Sequence, residues 1–202
     1  MRDTGDMRAS PSTLLAGVTS IAIVAAPRAA RADEETAGGD AVGLTIDLLP
    51  TVMSAFAGEL GGGAQIWYGH RHLKARLVGA HIAFVDAFAG DGFHDKRTDV
   101  GALIVDYVTG DHFDGWWVGA GAEYWANSAA SDAGGARGDW SNVVATAGGG
   151  YIWRVWGNFF VEPWGAGHVL LTGVDETVAG AHHEDQRVTG EVSLKLGAFV
   201  DL

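Results

Sequence analysis

Residues 188–202 read VTGEVSLKLGAFVDL. Val192, Leu194, Leu196, Ala198, Val200 and Leu202 alternate with Glu191, Ser193, Lys195, Gly197, Phe199 and Asp201. A strand sends successive side chains to opposite faces, so this stretch has one apolar face and one mostly polar face. No helical period fits it. The pattern runs to the last residue of the sequence, Leu202.

The same pattern recurs upstream. Apolar and polar residues alternate over strands expected at 42–53, 63–69, 74–85, 100–108, 116–126, 143–154 and 158–171. With 188–202 they make eight, and no helical period of useful length separates them. Pro50 is expected near a strand end or bulge, and Pro163 at a bulge. His81 falls with the apolar set of its strand, which requires either a bulge or a place near a membrane boundary. Long polar segments follow the third, fifth and seventh strands, at 86–99, 128–141 and 172–187. The other connections are short. Tyr68, Tyr107, Trp116, Tyr124, Trp153 and Trp156 lie near strand ends.

The chain has 202 residues, enough for one domain, and no cysteine. Disulfides, thiolate metal sites and an acylated-cysteine anchor are therefore excluded. Residues 1–32 have the form of a secretory signal peptide: Arg2 and Arg8, an apolar run from Leu14 to Ala26, then Ala30-Arg31-Ala32 as a small-x-small cleavage site. Residues 33–41 read as a flexible polar tail and 42–202 as the folded domain. The net charge is −12. Removing 1–32, with four Arg and two Asp, makes it −14. A chain this acidic has few partners for phosphates, so nucleic acid is not an expected ligand.

The alternation, the asymmetry of the connections and the terminal strand resemble those of small eight-stranded outer-membrane β-barrels of the OmpA, OmpX and OmpW kind. The match departs at the end, where that family usually has an aromatic residue and this chain has Leu202. The resemblance implies an all-β, antiparallel, up-and-down transmembrane barrel in the bacterial outer membrane. Implied partners are membrane lipid and lipopolysaccharide, with the barrel-assembly machinery reading the C-terminal strand. Short turns would face the periplasm and long loops the outside.

On this reading Asp47, Gln65, Arg76, Asp106, Glu123, Arg154, Glu162, His168, Glu191 and Lys195 face the lumen. An eight-stranded barrel is just wide enough for side chains to fill it. Two arrangements are open: a packed ionic core that closes the lumen, or a narrow path whose surplus carboxylates favour cations. In the packed case Arg154 and Lys195 are expected to neutralise Glu123, Glu162 and Glu191. The inward glycines leave room for large neighbours or water. Histidines at 70, 72, 94, 112, 182 and 183 show no ligand spacing, so no metal or other cofactor is expected. Glu162 and His168 lie too far apart on one strand for a catalytic dyad. Two other functions remain as rivals. A secreted lipocalin-like binder needs apolar residues inside, and a lipid-modifying membrane enzyme needs a convergent nucleophile and base.

Overall fold

The computed structural model describes residues 39–202. The expected signal peptide and most of the expected tail lie outside the described residues. Strand β1 (Asp40–Asp47) is followed by helix α1 (Leu48–Phe56), β2 (Gly62–His70), β3 (Leu73–Ala83), β4 (Phe93–Val108), β5 (Gly115–Ser131), β6 (Arg137–Trp156), β7 (Phe159–Leu170), β8 (Asp175–Val178), β9 (Ala181–Glu184) and β10 (Val188–Asp201). Eight of the ten strands form a closed antiparallel barrel in the order β1-β10-β7-β6-β5-β4-β3-β2. The first and last strands close it, with Ile46 opposite Leu196 and Asp47 opposite Lys195. Closure leaves no unpaired strand edge in the wall. β8 and β9 form a separate hairpin.

Four expectations are corrected. Strand β1 ends at Asp47, not at 53, and a helix follows. The Asp47 carboxylate accepts from the Leu49 amide (3.1 Å) and caps the helix, and Pro50 sits in the first turn, where its missing N–H costs nothing. Asp40 and Ala41 belong to β1, not to a tail. The segment 86–99 is half strand and 128–141 is largely strand: β4 begins at Phe93, β5 reaches Ser131 and β6 starts at Arg137. The expected bulge is not at Pro163. The β6–β7 register is the same on both sides of it and shifts between Arg154 and Trp156 instead.

The barrel is lopsided. β1, β2 and β3 have 8, 9 and 11 residues, whereas β4, β5 and β6 have 16, 17 and 20. The outward face carries Leu44, Ile66, Leu77, Leu103, Val118, Val192 and Leu196, all exposed. Tyr68, Tyr107, Trp116, Trp153, Trp156 and Phe159 ring the end with the short turns. The apolar band stops at the other end at His81, whose Nδ1 lies 2.7 Å from Asp99 across the β3–β4 ladder. β3 has no bulge there, so His81 marks a boundary between apolar and polar surface. The eight steps from Tyr107 to Asp99, at about 3.4 Å each and tilted about 40°, give an apolar band roughly 20–25 Å tall.

Candidate functional site: the filled lumen and its two closures

The middle of the lumen is an ionic layer built by β3, β4, β7 and β10. Arg76 grips Asp106 with two hydrogen bonds, Nε to Oδ2 at 2.9 Å and Nη2 to Oδ1 at 3.2 Å, and reaches Gln65 at 3.0 Å. Lys74 lies 3.4 Å from Asp106 and 3.6 Å from Glu162. Lys195 lies 3.5 Å from Glu162. All these side chains are buried; Asp106 and Lys195 are 0 % exposed. Three cations meet two carboxylates here. The excess is met by tryptophan: Lys195 Nζ sits 3.7 Å above the Trp164 ring, and Lys74, Arg76 and Lys195 all lie 5.1–5.4 Å from Trp117. A ring face stabilises a cation most where water is excluded.

Glycine makes this layer possible. Asp106 lies opposite Gly119, and a Cβ at Gly119 would strike its carboxylate. Gly150 likewise gives its space to Trp117 and Trp164.

A second polar group lies toward the long-loop end. His168 has Glu123 on Nδ1 (3.5 Å) and Glu191 on Nε2 (3.3 Å). Trp125 donates to the other Glu123 oxygen at 2.6 Å. Ser193 donates to Asp47 and accepts from the Leu49 amide. Thr98, Asn127 and Asn142 continue the chain outward, each linked side chain to side chain at 2.6–2.7 Å.

Apolar side chains cluster at both ends. At the short-turn end Trp67, Phe113, Phe160 and Phe199 pack with ring centroids 5.3–6.4 Å apart. Phe113 comes from the β4–β5 turn, where His112 and Phe113 both take left-handed backbone angles (φ 50° and 56°). Each such angle costs roughly 1–2 kcal/mol. Burying the Phe113 ring recovers about 1.5–3 kcal/mol, and Gly69 leaves the space it fills. Gly43 and Gly197 face Trp67 and Phe160, where any Cβ would overlap the rings.

At the other end Ala89, Phe93, Ala129, Trp140 and Val178 form an apolar cluster on the tall β4–β6 wall. Val178 comes from the β8–β9 hairpin, which is thereby folded against the inner side of the wall. One carboxylate locks it. Asp185 accepts from Lys96 (2.9 Å) and Trp140 Nε1 (2.7 Å) and meets His183 Nε2 (3.1 Å). Burial raises the Asp185 pKa, but the His183 hydrogen bond and the Lys96 charge outweigh it and hold the carboxyl well below the usual carboxylate range. His183 itself is buried between Phe93 (4.8 Å) and Trp140 (4.4 Å).

Of the ten residues expected in the lumen, nine are brought into these two polar groups. Arg154 is not. It sits at the short-turn rim, donates to the Gly157 carbonyl (3.1 Å) and Asn158 (3.0 Å), and stacks on Phe199 at 5.1 Å. Its expected pairing with Glu123, Glu162 and Glu191 is replaced by Lys74, Lys195 and His168. Lys74 was missed because it adjoins the His70–His72 turn, where the start of the strand is ambiguous. Its alternation with Arg76 was the available signal. Trp117 shares the alternating face of Gly119, Gly121 and Glu123, so the same signal was available for it, whereas the hairpin latch had none. Among the described residues no three His, Asp or Glu side chains are arranged to hold a metal ion. No helix among them is long and apolar enough to cross a membrane, which says nothing of the strands.

No protein-family profile matches the chain, and no curated protein sequence does. Similar solved structures include the following two. The N-terminal β-barrel domain of Pseudomonas aeruginosa OprF shares 14% identity, covers 81% of this chain and 99% of its own, and superposes with a TM-score of 0.50. Neisserial surface protein A shares 15%, covers 83% of this chain and 100% of its own, with a TM-score of 0.44. The closed order of eight antiparallel strands matches the OprF N-terminal β-barrel, and this chain has the fold of the small outer-membrane β-barrels.

Proposed function

We propose that the protein is an integral outer-membrane barrel whose lumen is closed, and that its role is structural: it fixes the tall β4–β6 wall and its docked hairpin at the cell surface. The observation that carries this reading is the inversion of polarity. Lys74, Lys195, Asp106 and Glu162 are buried inside, while Val192 (78 % exposed), Leu77 and Leu103 lie outside. A soluble ligand-binding barrel of the lipocalin type requires the opposite arrangement, because an exposed apolar band in water is strongly disfavoured. A water-filled path is disfavoured by the aromatic packing at one end and the hairpin at the other. An enzyme reading gains nothing from His168, whose two ring nitrogens are both directed at carboxylates.

Fractionation tests location. The protein is expected with the outer membrane, resistant to urea extraction and heat-modifiable on gels, since a barrel without edges unfolds slowly. Recovery as a soluble periplasmic protein would overturn the reading. A planar-bilayer recording tests the lumen. No steady conductance is expected; a stable open level with cation preference would replace the structural role with a pore.

A further inference from the structure

We propose that the outer face of the β4–β6 wall carries a glycolipid site: a polar groove for an uncharged sugar headgroup, with a smooth channel below it for the acyl chain. The site presupposes the outer-membrane reading above, and its ligand is a lipid of the outer leaflet.

The groove begins where the apolar band stops. On β5 the outward apolar run extends from Trp116 to Tyr124, and on β6 from Trp153 to Val143. The next outward positions are Ala126 and Ser128 on β5, and Ser141 and Asp139 on β6. Register aligns them. Asp99, Ala126 and Ser141 form one row across β4, β5 and β6, and Arg97, Ser128 and Asp139 form the next. Small side chains in the middle and longer ones at the flanks leave a hollow of about 440 Å³, with Tyr124 at its lower edge.

The lining suits hydroxyl groups. Asp99 and Asp139 flank the hollow from β4 and β6, both exposed. Asp99 gives one oxygen to His81, and among the described residues no side chain pairs with Asp139. Ionised carboxylates only accept hydrogen bonds, so they favour O–H donors and repel phosphates. Arg97 does not reverse that preference, because Glu59 neutralises it through Nε (3.2 Å) and Nη2 (2.8 Å). Tyr124, 53 % exposed, adds an apolar ring with a polar tip at the boundary, where such side chains pack against amphipathic molecules.

The channel below is a separate feature of the wall. The ladder row Leu44, Ile66, Leu77 and Leu103 is bulky across β1 to β4. Past Leu103 the same row continues as Ala122 and Ala145. The adjacent row runs Ala120, Ala147 and Gly167, and the one after sets Gly149 beside Gly165. Side chains thus shrink on the two strands that carry the groove and on β7 beside them. Wall packing does not require this at Gly167, where a Cβ would meet nothing nearer than the Thr189 carbonyl at 4.0 Å. Glycine inside a strand weakens it, and one of its uses is to let a ligand approach closely.

The full chain, isotope-labelled, refolded in dodecylphosphocholine micelles and shown to be heat-modifiable, is titrated with dodecyl maltoside, an uncharged sugar on a single chain. Amide shifts are expected to saturate at residues 97–99, 124–128 and 139–143 and to stay flat at Leu44 and Leu77. Maltose alone and dodecyl phosphate, at the same concentration, are expected to give no saturating shift. Asp139→Ala removes an exposed acceptor and is expected to weaken binding about tenfold. Ala122→Leu fills the channel without touching the groove and is expected to weaken it as well. A doxyl-labelled stearate checks the wall independently by broadening the Leu103 amide. Broadening there without a saturating maltoside shift, with equal shifts for the phosphate, or with unchanged affinity in both variants overturns the glycolipid site and leaves the membrane barrel standing. Saturation by maltose alone overturns the lipid as ligand. No broadening at Leu103 overturns the membrane reading and the site with it.

Discussion

The lumen and the outer latch use the same three groups on different scaffolds. In the lumen Lys195 and Lys74 share Glu162 over Trp117 and Trp164. In the latch Lys96 and Trp140 share Asp185. The latch bonds of Lys96 and Trp140 are shorter than the contacts of the lumen lysines, 2.7–2.9 Å against 3.4–3.6 Å, whereas Arg76 holds Asp106 at 2.9 Å. The lumen charges are more deeply buried: Lys195 is 0 % exposed by side chain, whereas Lys96 is 15 %. Inside the barrel the ladder holds every backbone, so charges are placed by register and settle at whatever distance the wall dictates. At the mouth Lys96, Trp140 and His183 converge on Asp185 from β4, β6 and β9. Inside the wall Lys74 and Lys195 are paired at longer range, and aromatic rings compensate.

This contrast sets the sizes of the expected effects. Glu162→Met strands Lys195 and leaves Lys74 with Asp106 alone in a buried layer, and loss of one partner of a buried pair costs about 3–5 kcal/mol. A denaturant titration in lipid vesicles checks it, with Glu162→Gln as the milder variant if the first does not fold. A loss below about 1 kcal/mol would indicate a solvated lumen. Leu194→Arg, on the opposite face of the same β10 wall, is expected to cost about 2–4 kcal/mol by the same titration, because the charge meets lipid.

Asp185→Asn is expected to act locally. Weakening a charged, partly buried hydrogen-bond centre costs about 1–3 kcal/mol. The loss should appear as faster amide exchange in residues 171–187, with the global titration unmoved. If the global midpoint falls with it, the latch belongs to the cooperative core. Acid should do the same reversibly. The folded Asp185 pKa is depressed, so its contribution is fully present above the unfolded value of about 3.9 and is lost as the pH falls below that. Exchange in the hairpin, corrected for intrinsic rates, is expected to rise on acidification before the barrel unfolds, with Lys96, His183 and Trp140 losing their shared acceptor. The smallest effect is expected at Arg154→Met, about 0–1 kcal/mol, since its partners are rim backbone and Asn158 rather than buried carboxylates. A loss as large as that of Glu162→Met would place Arg154 in the ionic layer after all.

Much of this was legible in residue order. A period of two assigns Asp106, Glu123, Glu162, His168, Glu191 and Lys195 to one face and Leu103, Val192 and Leu196 to the other, because a strand has only two faces. Where the period failed, the reason was local. Leu48–Phe56 alternates poorly and contains Pro50, yet it is short enough for a strand end, and only the cap at Asp47 and the contacts of Pro50 and Ser54 make it a helix. Residues 128–141 looked like loop because a wall that rises beyond the apolar band has polar residues on its outer face. Ser128 and Asp139, which pair across β5 and β6, carry no apolar signal.

Sequence by itself determined the wall: eight strands, their inward and outward faces, and a lumen with charge of both signs. These follow from nearest-neighbour stereochemistry, which every residue carries with it. The tertiary structure alone decided the pairings. Glu162 meets Lys74 and Lys195, Arg154 meets none of the acids, and Asp185 meets Lys96 across 89 positions of sequence. Which inward charges share a layer depends on the stagger between strands, and the stagger is fixed only when β1 closes on β10.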